Sequence, residues 1–295
     1  MNERPSAPFF DQLRPRLQRI AYRMLGSVAE AEDVVQDAWL RWQAADGEAI
    51  DNHEAWLVTV TTRLAIDRLR AVKAERTQYV GTWLPEPLLT DTAPSAQDQL
   101  ERADELSFAF LALLERLSPD ARAAFLLREV FDTDYPDLAR TLGKSEAACR
   151  QLVHRARSQL QSGKPRFEVA PDTHMQLLQG FADAAVRGDM ASLTALLAPQ
   201  AELIGDGGGK VPSFGKTLVG GRRIAQLYFA VRRRHAQMQV EVVQINGAPG
   251  LLRFLDGRLE SAQTFEIEAG RIVRVYSQRN PDKLAGLSAA WAARE

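Results

Sequence analysis

The spacing of apolar residues changes once along this chain, near residue 172, and that change constrains the fold more than any other feature. Before it, apolar side chains recur every three to four residues over long runs with few glycines, which predicts amphipathic helices. After it, helical runs lead into segments of alternating polarity separated by the turn dipeptides Asn246-Gly247, Asp256-Gly257 and Ala269-Gly270. The sequence therefore predicts a multidomain protein, with all-α units followed by an α+β domain that has a curved antiparallel sheet.

Two stretches of the sequence are typical of boundaries between folded units. Residues 77–103 hold three prolines and four threonines and have no regular apolar period, which indicates a linker. A second break lies at Gly163–Pro171, where a helical pattern ends. The 295 residues are enough for two or three domains. We predict folded units at 8–76, 104–162 and 172–293.

Composition excludes several classes of protein. A single cysteine excludes a disulfide framework and a thiolate metal cage, and it suits a reducing, cytoplasmic location. The N-terminal segment has no apolar run of the kind found in signal peptides, and no stretch is long and apolar enough for a membrane helix. We therefore expect no membrane partner, no metal and no cofactor.

The formal net charge of −1 conceals an uneven distribution. Residues 63–76 hold five basic and two acidic residues, and residues 138–166 hold seven basic and one acidic residue. Between them, residues 77–105 hold six acidic residues and one basic residue. Because a polyanion meets a local surface and not a total charge, the two basic segments are candidate nucleic-acid surfaces.

A short helix, a turn and a second helix are predicted at residues 134–160. The first helix, Pro136–Leu142, ends at Gly143, a typical C-cap, and Ser145 is placed to cap the second helix. The second helix has an apolar stripe that contains Cys149 and an opposite face of cations and amides, the groups that read bases and phosphates. The turn geometry favours DNA binding over a merely solvated basic face. The exposed face carries Arg150, Gln151, His154, Arg155 and Ser158.

Two further segments of the N-terminal unit carry charge patterns. The helix predicted at residues 28–42 has an acidic face edged by an exposed leucine, which suits a basic protein partner, although a solvated face has the same spacing. Its members are Asp33, Gln36, Asp37, Leu40 and Arg41. In the following helix, β-branched residues crowd Val58–Thr62, which predicts a break or loop there. The basic residues beyond it, among them Arg63 and Arg68, are spaced to follow a phosphate backbone.

These segments resemble those of bacterial sigma factors. The run AEDVVQDAWLRW is similar to sigma region 2.2, and WLVTVTTRLAIDRLR is similar to regions 2.3–2.4. Residues Leu113–Leu160 resemble region 4 with its helix-turn-helix. There is no room for regions 1.1 or 3, which matches the extracytoplasmic-function (ECF) type, and the resemblance covers about half of the chain. It implies two all-α sigma domains, region 2 and region 4.

The resemblance implies partners and residue roles. The partners would be promoter DNA and core RNA polymerase, through its β′ clamp helices and β flap. The acidic face would dock on the clamp helices, and the helix at 145–158 would enter the major groove of the −35 element. A loop at Thr61–Arg63 would capture the unpaired −10 strand, which needs a pocket for a flipped base and cations on the backbone. The −10 set is Thr61, Thr62, Arg63, Asp67 and Arg68.

Three motifs are typical of the ECF subgroup with a SnoaL-like C-terminal extension: Trp83-Leu84-Pro85-Glu86-Pro87, Asp206-Gly207-Gly208-Gly209-Lys210 and Asn280-Pro281-Asp282-Lys283-Leu284. The resemblance implies an α+β SnoaL-like cone, and we expect it to pack against the linker and regulate the factor in cis. No separate anti-sigma factor is then expected. The glycines would allow close approach of another segment, with Lys210 meeting an acid such as Glu86; a flexible loop is the alternative.

Other functions stay open at this point. A SnoaL-like cone often holds an enzyme site, so the alternative is a bifunctional factor whose extension is an active enzyme or a small-molecule sensor. Asp183, Asp206 and His235 are its candidate acid/base groups, but the sequence brings no pair of them together and names no ligand. We expect no catalysis. The DGGGK run lacks the spacing of a phosphate-binding loop. A third hypothesis is a DNA-binding regulator that makes no contact with RNA polymerase.

Overall fold

The computed structural model describes residues 7–45, 50–90, 107–161 and 171–294. The chain divides into two compact units, one formed by Met1–Thr77 with Leu113–Gly163 and the other by Gln78–Ala112 with Lys164–Glu295. Most of the predicted boundary at Gly163–Pro171, and residues 91–103 of the predicted linker, lie outside the described residues. Within the described ranges, no helix combines the length and apolarity that a membrane span requires.

The first unit is helical. Its N-terminal half is a bundle of three helices, α1 (Ala7–Leu25), α2 (Val28–Ala44) and α3 (His53–Glu75). The chain re-enters the first unit at Leu113, near the end of α4 (Phe108–Leu114). Helices α5 (Pro119–Glu129), α6 (Tyr135–Leu142) and α7 (Glu146–Gln161) complete the unit.

The helix-turn-helix prediction is confirmed, because α6 ends at Gly143 in a left-handed conformation (φ 62°) and the Ala148 amide donates to Ser145 Oγ at 3.2 Å. Cys149 and Val153 of α7 pack on Leu138 of α6, as the apolar stripe predicts.

The predicted break in α3 is wrong. The helix runs without interruption from His53 to Glu75, and Thr61 and Thr62 lie within it. The β-branched residues lower helix propensity by only a few tenths of a kcal/mol each, roughly, and tertiary burial outweighs that loss. Both threonines are fully buried, as are Leu57 and Ala65 on the same helix.

The second unit is an α+β domain. Helices α8 (Pro171–Arg187), α9 (Met190–Leu196), α10 (Gly221–Arg234) and α11 (Pro281–Ala292) surround one seven-stranded sheet of order β1-β4-β5-β6-β7-β2-β3. The strands are β1 (Leu89–Thr90), β2 (Leu197–Asp206), β3 (Leu218–Val219), β4 (Gln239–Ile245), β5 (Ala248–Leu255), β6 (Arg258–Glu268) and β7 (Arg271–Gln278). All neighbours are antiparallel except β2 and β7. The three predicted hairpin turns are confirmed, with both residues of each turn at positive φ.

The sheet of the second unit is covered on both faces. One face packs against α8, α9 and α10, with Phe181, Tyr228 and Phe265 in its core. The opposite face is covered over β4–β6 by α11, through Leu284 and Leu287. Over β2 and β7 that opposite face is covered by Leu84, which lies within the predicted linker, and by Phe108, which follows it. Both pack on Tyr276.

Candidate nucleic-acid interface and linker site

The face of α7 opposite its apolar stripe is exposed. All five predicted −35 residues lie on it: Arg150, Gln151, His154, Arg155 and Ser158. Arg150 is held by an ion pair with Glu146 at 2.7 Å and lies over the Tyr135 ring at 4.4 Å, whereas Arg155 makes no ion pair within the described residues. The face can therefore offer cations and amide groups to a groove.

The predicted polymerase face is also exposed on α2. Its members are Asp33, Gln36, Asp37, Leu40 and Arg41. Leu40 is 55% exposed, one of few large apolar side chains on the described surface. An exposed leucine between acidic residues is a feature that a packed partner would bury.

The predicted −10 residues occupy a different environment from the one expected. Thr61 and Thr62 are buried, so in this arrangement their side chains cannot touch DNA. Arg63 donates through Nε to the Thr141 carbonyl at 2.8 Å and through Nη2 to the Arg140 carbonyl at 2.7 Å. The end of α6 therefore covers this part of α3.

The outer two members of the −10 set are engaged in ion pairs on the surface. Asp67 pairs with Arg70 at 2.9 Å, and Arg68 donates to Glu30 at 2.6 Å. These pairs are exposed and cost little to exchange for other partners.

A buried arginine joins the two helical halves of the first unit. Arg122 of α5 is fully buried and donates to the carbonyls of Leu114 at 3.0 Å and Met24 at 2.7 Å. Its third nitrogen lies 2.7 Å from Glu115, which also pairs with Arg76 at 2.7 Å. Burial lowers the pKa of Arg122, and the Glu115 carboxylate offsets part of that effect.

The second unit binds the linker through one buried carboxylate. Asp206, at the end of β2, is fully buried and accepts hydrogen bonds from the Tyr79 hydroxyl at 2.6 Å and the Leu84 amide at 2.9 Å. Lys283 Nζ lies 2.7 Å from the same carboxylate and donates to the Leu84 carbonyl at 2.6 Å. Gln278 donates to the carbonyls of Leu84 and Pro85. These side chains thus form hydrogen bonds with both N–H and C=O groups of the linker backbone.

Aromatic and amide contacts complete the same site. The Lys283 ammonium lies 4.1 Å from the centroid of the Trp83 ring, a cation–π distance. Asn280 donates through Nδ2 to the Tyr79 hydroxyl at 3.0 Å, and its Oδ1 caps α11 by accepting from Asp282 N.

The glycines of the DGGGK segment are needed because other atoms lie very close. A Cβ added to Gly207 would lie 2.4 Å from the Val211 carbonyl oxygen, and one added to Gly208 would lie 2.4 Å from the Asn280 side chain. Gly208 and Gly209 also have positive φ angles of 62° and 70°. Close approach therefore explains the motif better than a flexible loop does.

The predicted partner of Lys210 is wrong. Lys210 pairs with Asp282 at 2.5 Å and not with Glu86. Asp282 is held in the first turn of α11 by the Asn280 cap, which presents it to the glycine turn. Glu86 lies instead beside Gly286, in the middle of α11.

Sequence reasoning missed Tyr79, Gln278, Phe108 and the strand β1. Leu89 and Thr90 pair with Ile245 and Gln244, so the linker adds an edge strand to the sheet. The signal for Gln278 was available, since it lies two residues before the NPDKL motif, at the end of the strand that leads into that motif.

The candidate acid/base groups of the second unit do not form one site. Asp183 is exposed on α8, Asp206 lies in the linker site, and His235 pairs with Asp256 at 3.1 Å. Within the described residues, no group of three or more His, Cys, Asp or Glu is arranged to hold a metal ion.

Comparison with known families matches both helical segments. Sigma-70 region 2 matches residues 9–75, and Sigma-70 region 4 matches residues 107–160. Two sigma factors of Mycobacterium tuberculosis match nearly the whole chain. The ECF RNA polymerase sigma factor SigJ is 35% identical over 94% of this chain and 92% of its own length. The probable ECF RNA polymerase sigma factor SigI is 32% identical over 94% and 93%.

The solved structure of one of these relatives supports the same assignment. The crystal structure of M. tuberculosis SigJ matches with a TM-score of 0.74 at 32% identity, covering 95% of this chain and 99% of that one. The sigma factor RpoE in complex with the anti-sigma factor NepR from Bartonella quintana matches 53% of this chain and 96% of that one, at 24% identity and a TM-score of 0.39. This chain belongs to the ECF RNA polymerase sigma factors that carry a SnoaL-like C-terminal extension.

Proposed function

We propose that the SnoaL-like domain regulates this sigma factor in cis by holding the linker between its two sigma domains, taken as residues 8–76 and 104–162. As a member of its family, the chain directs promoter-specific initiation by core RNA polymerase. The segment that connects the two sigma domains is described at both of its ends, residues 78–90 and 107–112. The observation that carries the proposal is that both ends belong to the second unit. Residues 79–90 bind Asp206, Lys283 and β4, and Phe108 packs on Tyr276.

The −10 residues supply the reason why holding the connection would lower activity. Arg63 is bonded to the end of α6, and Thr59 lies 3.1 Å from Thr141, so Arg63 becomes available for −10 capture only when α3 comes away from the helix-turn-helix half. Thr61 and Thr62 are buried as well, so their side chains also need a rearrangement before they can reach DNA. A connection fixed at both ends limits how far the two halves can separate. Release of the linker would restore that freedom, and a built-in inhibitor of this kind would make a separate anti-sigma factor unnecessary.

We assign the two exposed faces to the two macromolecular partners. The acidic α2 face, with Leu40 at its edge, would bind the β′ clamp helices of core polymerase, and the α7 face would bind the −35 element. The β flap would contact the region 4 half. The charge and exposure of both faces support these roles.

Run-off transcription with core polymerase tests regulation in cis. We expect a chain ending before Asp282, which lacks Lys283, to give several times more transcript than the full chain, because the linker loses its ammonium contact. A chain ending at Gly163, which lacks the whole domain, should also differ from the full chain. Equal transcript from all three would contradict the proposal.

Charge reversal of α2 tests the polymerase face. We expect Asp33→Lys combined with Asp37→Lys to weaken binding to core polymerase at least about tenfold in a pull-down titration, since like charges would then face each other.

Arg155→Asp on α7 is the matched control for this charge reversal. It should leave polymerase binding unchanged and weaken binding to −35 duplex DNA. If the α2 variant bound polymerase normally, or if both variants lost the same activity, the assignment of the two faces would be wrong.

A further inference from the structure

A cavity of about 460 Å³ opens inside the second unit, between α10 and the face of the sheet opposite the linker. This volume lies in the range of small-molecule sites. Its walls are mostly apolar and come from β2, α10, β5 and the segment after the DGGGK motif: Leu203, Pro212, Phe214, Leu227, Val231 and Leu255. Neither the linker site nor the proposed macromolecular faces use this cavity.

The polar side of the cavity is built around two arginines and one glutamate. Arg253 of β5, 6% exposed, donates to Glu260 Oε2 from Nε at 2.8 Å and lies 2.6 Å from it through Nη2. Arg279 lies 2.5 Å from the other carboxylate oxygen. The register of β5 and β6 shifts between Arg253 and Phe254, and Glu260 is the extra residue of this bulge. The bulge turns the Glu260 side chain toward Arg253.

The charges that line the cavity do not balance. Two guanidinium groups share one carboxylate, and Arg234 at the rim pairs with no acidic residue in the described part of the chain. Although burial opposes it, attraction to Arg253 and Arg279 holds the pKa of Glu260 below its usual range, so this carboxylate stays ionised. The cavity therefore carries net positive charge beside apolar walls. Buried excess charge is unfavourable until a counter-charge joins it.

The same groups are poorly suited to proton transfer. Burial raises the pKa of Tyr228 to about 12, and its hydroxyl donates to Gln263 at 2.6 Å. Glu260 is an ionised, doubly paired carboxylate, which is a weak base. Tyr228 and Glu260 are therefore poor proton donors and acceptors, whereas the two arginines favour an anion. His235 also lines the cavity, where it pairs with Asp256 at 3.1 Å.

We propose that this cavity binds a small molecule with an apolar body and a single carboxylate. The carboxylate would lie against Arg253 and Arg279, whose guanidinium groups match its geometry, and the body would lie between Leu227, Val231 and Leu255.

Successive residues at the end of β7 face opposite sides of the sheet, and this connects the cavity with the linker site. The inference that a ligand in the cavity affects the linker rests on the proposed function. Arg279 points into the cavity, whereas its neighbours Gln278 and Asn280 bind the linker. On β2, Gly205 lines the cavity and the next residue, Asp206, binds the linker. A ligand that draws Arg279 away from Glu260 would therefore shift the strand ends that hold residues 79–90.

Isothermal titration of the full chain tests the site with probes of equal length and different charge. We expect decanoate to bind at least ten times more tightly than 1-decanol, and decyltrimethylammonium not to bind. Equal affinity for decanoate and decanol, or preference for the cation, would overturn the proposal.

Two variants distinguish this cavity from other apolar surfaces. Ala230→Trp should fill the mouth and abolish decanoate binding, whereas Gln226→Trp, exposed on the same helix outside the cavity, should leave it unchanged. Glu260→Gln should tighten decanoate binding severalfold, because both arginines lose their competing partner. Weaker binding in Glu260→Gln, with the fold intact by circular dichroism, would contradict the assigned anion site.

The link to the linker is tested separately by hydrogen exchange of residues 79–90 in the full chain. Saturating decanoate should change their exchange severalfold in the wild type and not in Ala230→Trp. Binding without any change in exchange would overturn the link alone. The proposed function is decided by the run-off experiment, which contains no ligand.

Discussion

Asp206→Ala is expected to release the linker from the SnoaL-like domain. The carboxylate is fully buried and accepts from the Tyr79 hydroxyl, the Leu84 amide and the Lys283 ammonium. Removing it leaves a nearly buried cation and a buried amide without their acceptor, which costs about 3–5 kcal/mol. Hydrogen exchange of residues 79–90 should then accelerate by about a hundredfold or more, since about 1.4 kcal/mol corresponds to a factor of ten.

Asp183→Ala is the matched control, because Asp183 is an exposed carboxylate in the same domain. It should leave the exchange of residues 79–90 unchanged. The same acceleration in both variants would indicate general destabilisation, and no acceleration in Asp206→Ala would mean that other contacts hold the linker. In run-off transcription, Asp206→Ala should resemble the chain that ends before Asp282.

Local signals in the sequence predicted most of the fold. Gly143 and Ser145 mark the turn of the helix-turn-helix, and each hairpin turn of the second unit falls at a predicted dipeptide, because turns and caps depend on a few adjacent residues. The exposed faces of α2 and α7 follow directly from helical spacing.

The predictions that failed depended on tertiary context. The β-branched run at Val58–Thr62 lowers helix propensity locally, but burial of Thr61 and Thr62 against other helices decides the outcome. Lys210 had several acidic residues as candidate partners, and its actual partner, Asp282, is selected by the cap of α11, about 70 residues away in sequence.

The composition of the linker site was only half predictable. The three sequence motifs contain Leu84, Asp206 and Lys283, which the structure brings together. No local sequence signal predicts that Tyr79 or β1 lies beside them, because those contacts join segments more than 120 residues apart. Arg122 could have been noticed, since it lies on α5 among alanines and leucines that all face the interior.

Arg122→Met is expected to be among the most destabilising single changes in the first unit. The side chain is 1% exposed and bonds the carbonyls of Leu114 and Met24, and its third nitrogen lies beside Glu115. Methionine fills a similar volume but leaves two buried carbonyls without that donor and Glu115 with one cation fewer. The cost is about 3–5 kcal/mol, which lowers the midpoint of thermal unfolding by roughly 10 °C or more in a unit of this size.

Circular dichroism at a helical wavelength measures this shift, and Arg116→Met, an exposed arginine six residues earlier, should change the midpoint little. Adding Glu115→Gln to Arg122→Met should cost less than the two single changes summed, because Glu115 pairs with both Arg122 and Arg76 and has already lost one of these two cations in Arg122→Met. If the double variant were as unstable as the sum of the single variants, the two side chains would be energetically independent. In that case Arg122 would stabilise the unit through its carbonyl hydrogen bonds alone, and the ion pair would contribute nothing to the junction between the two helical halves.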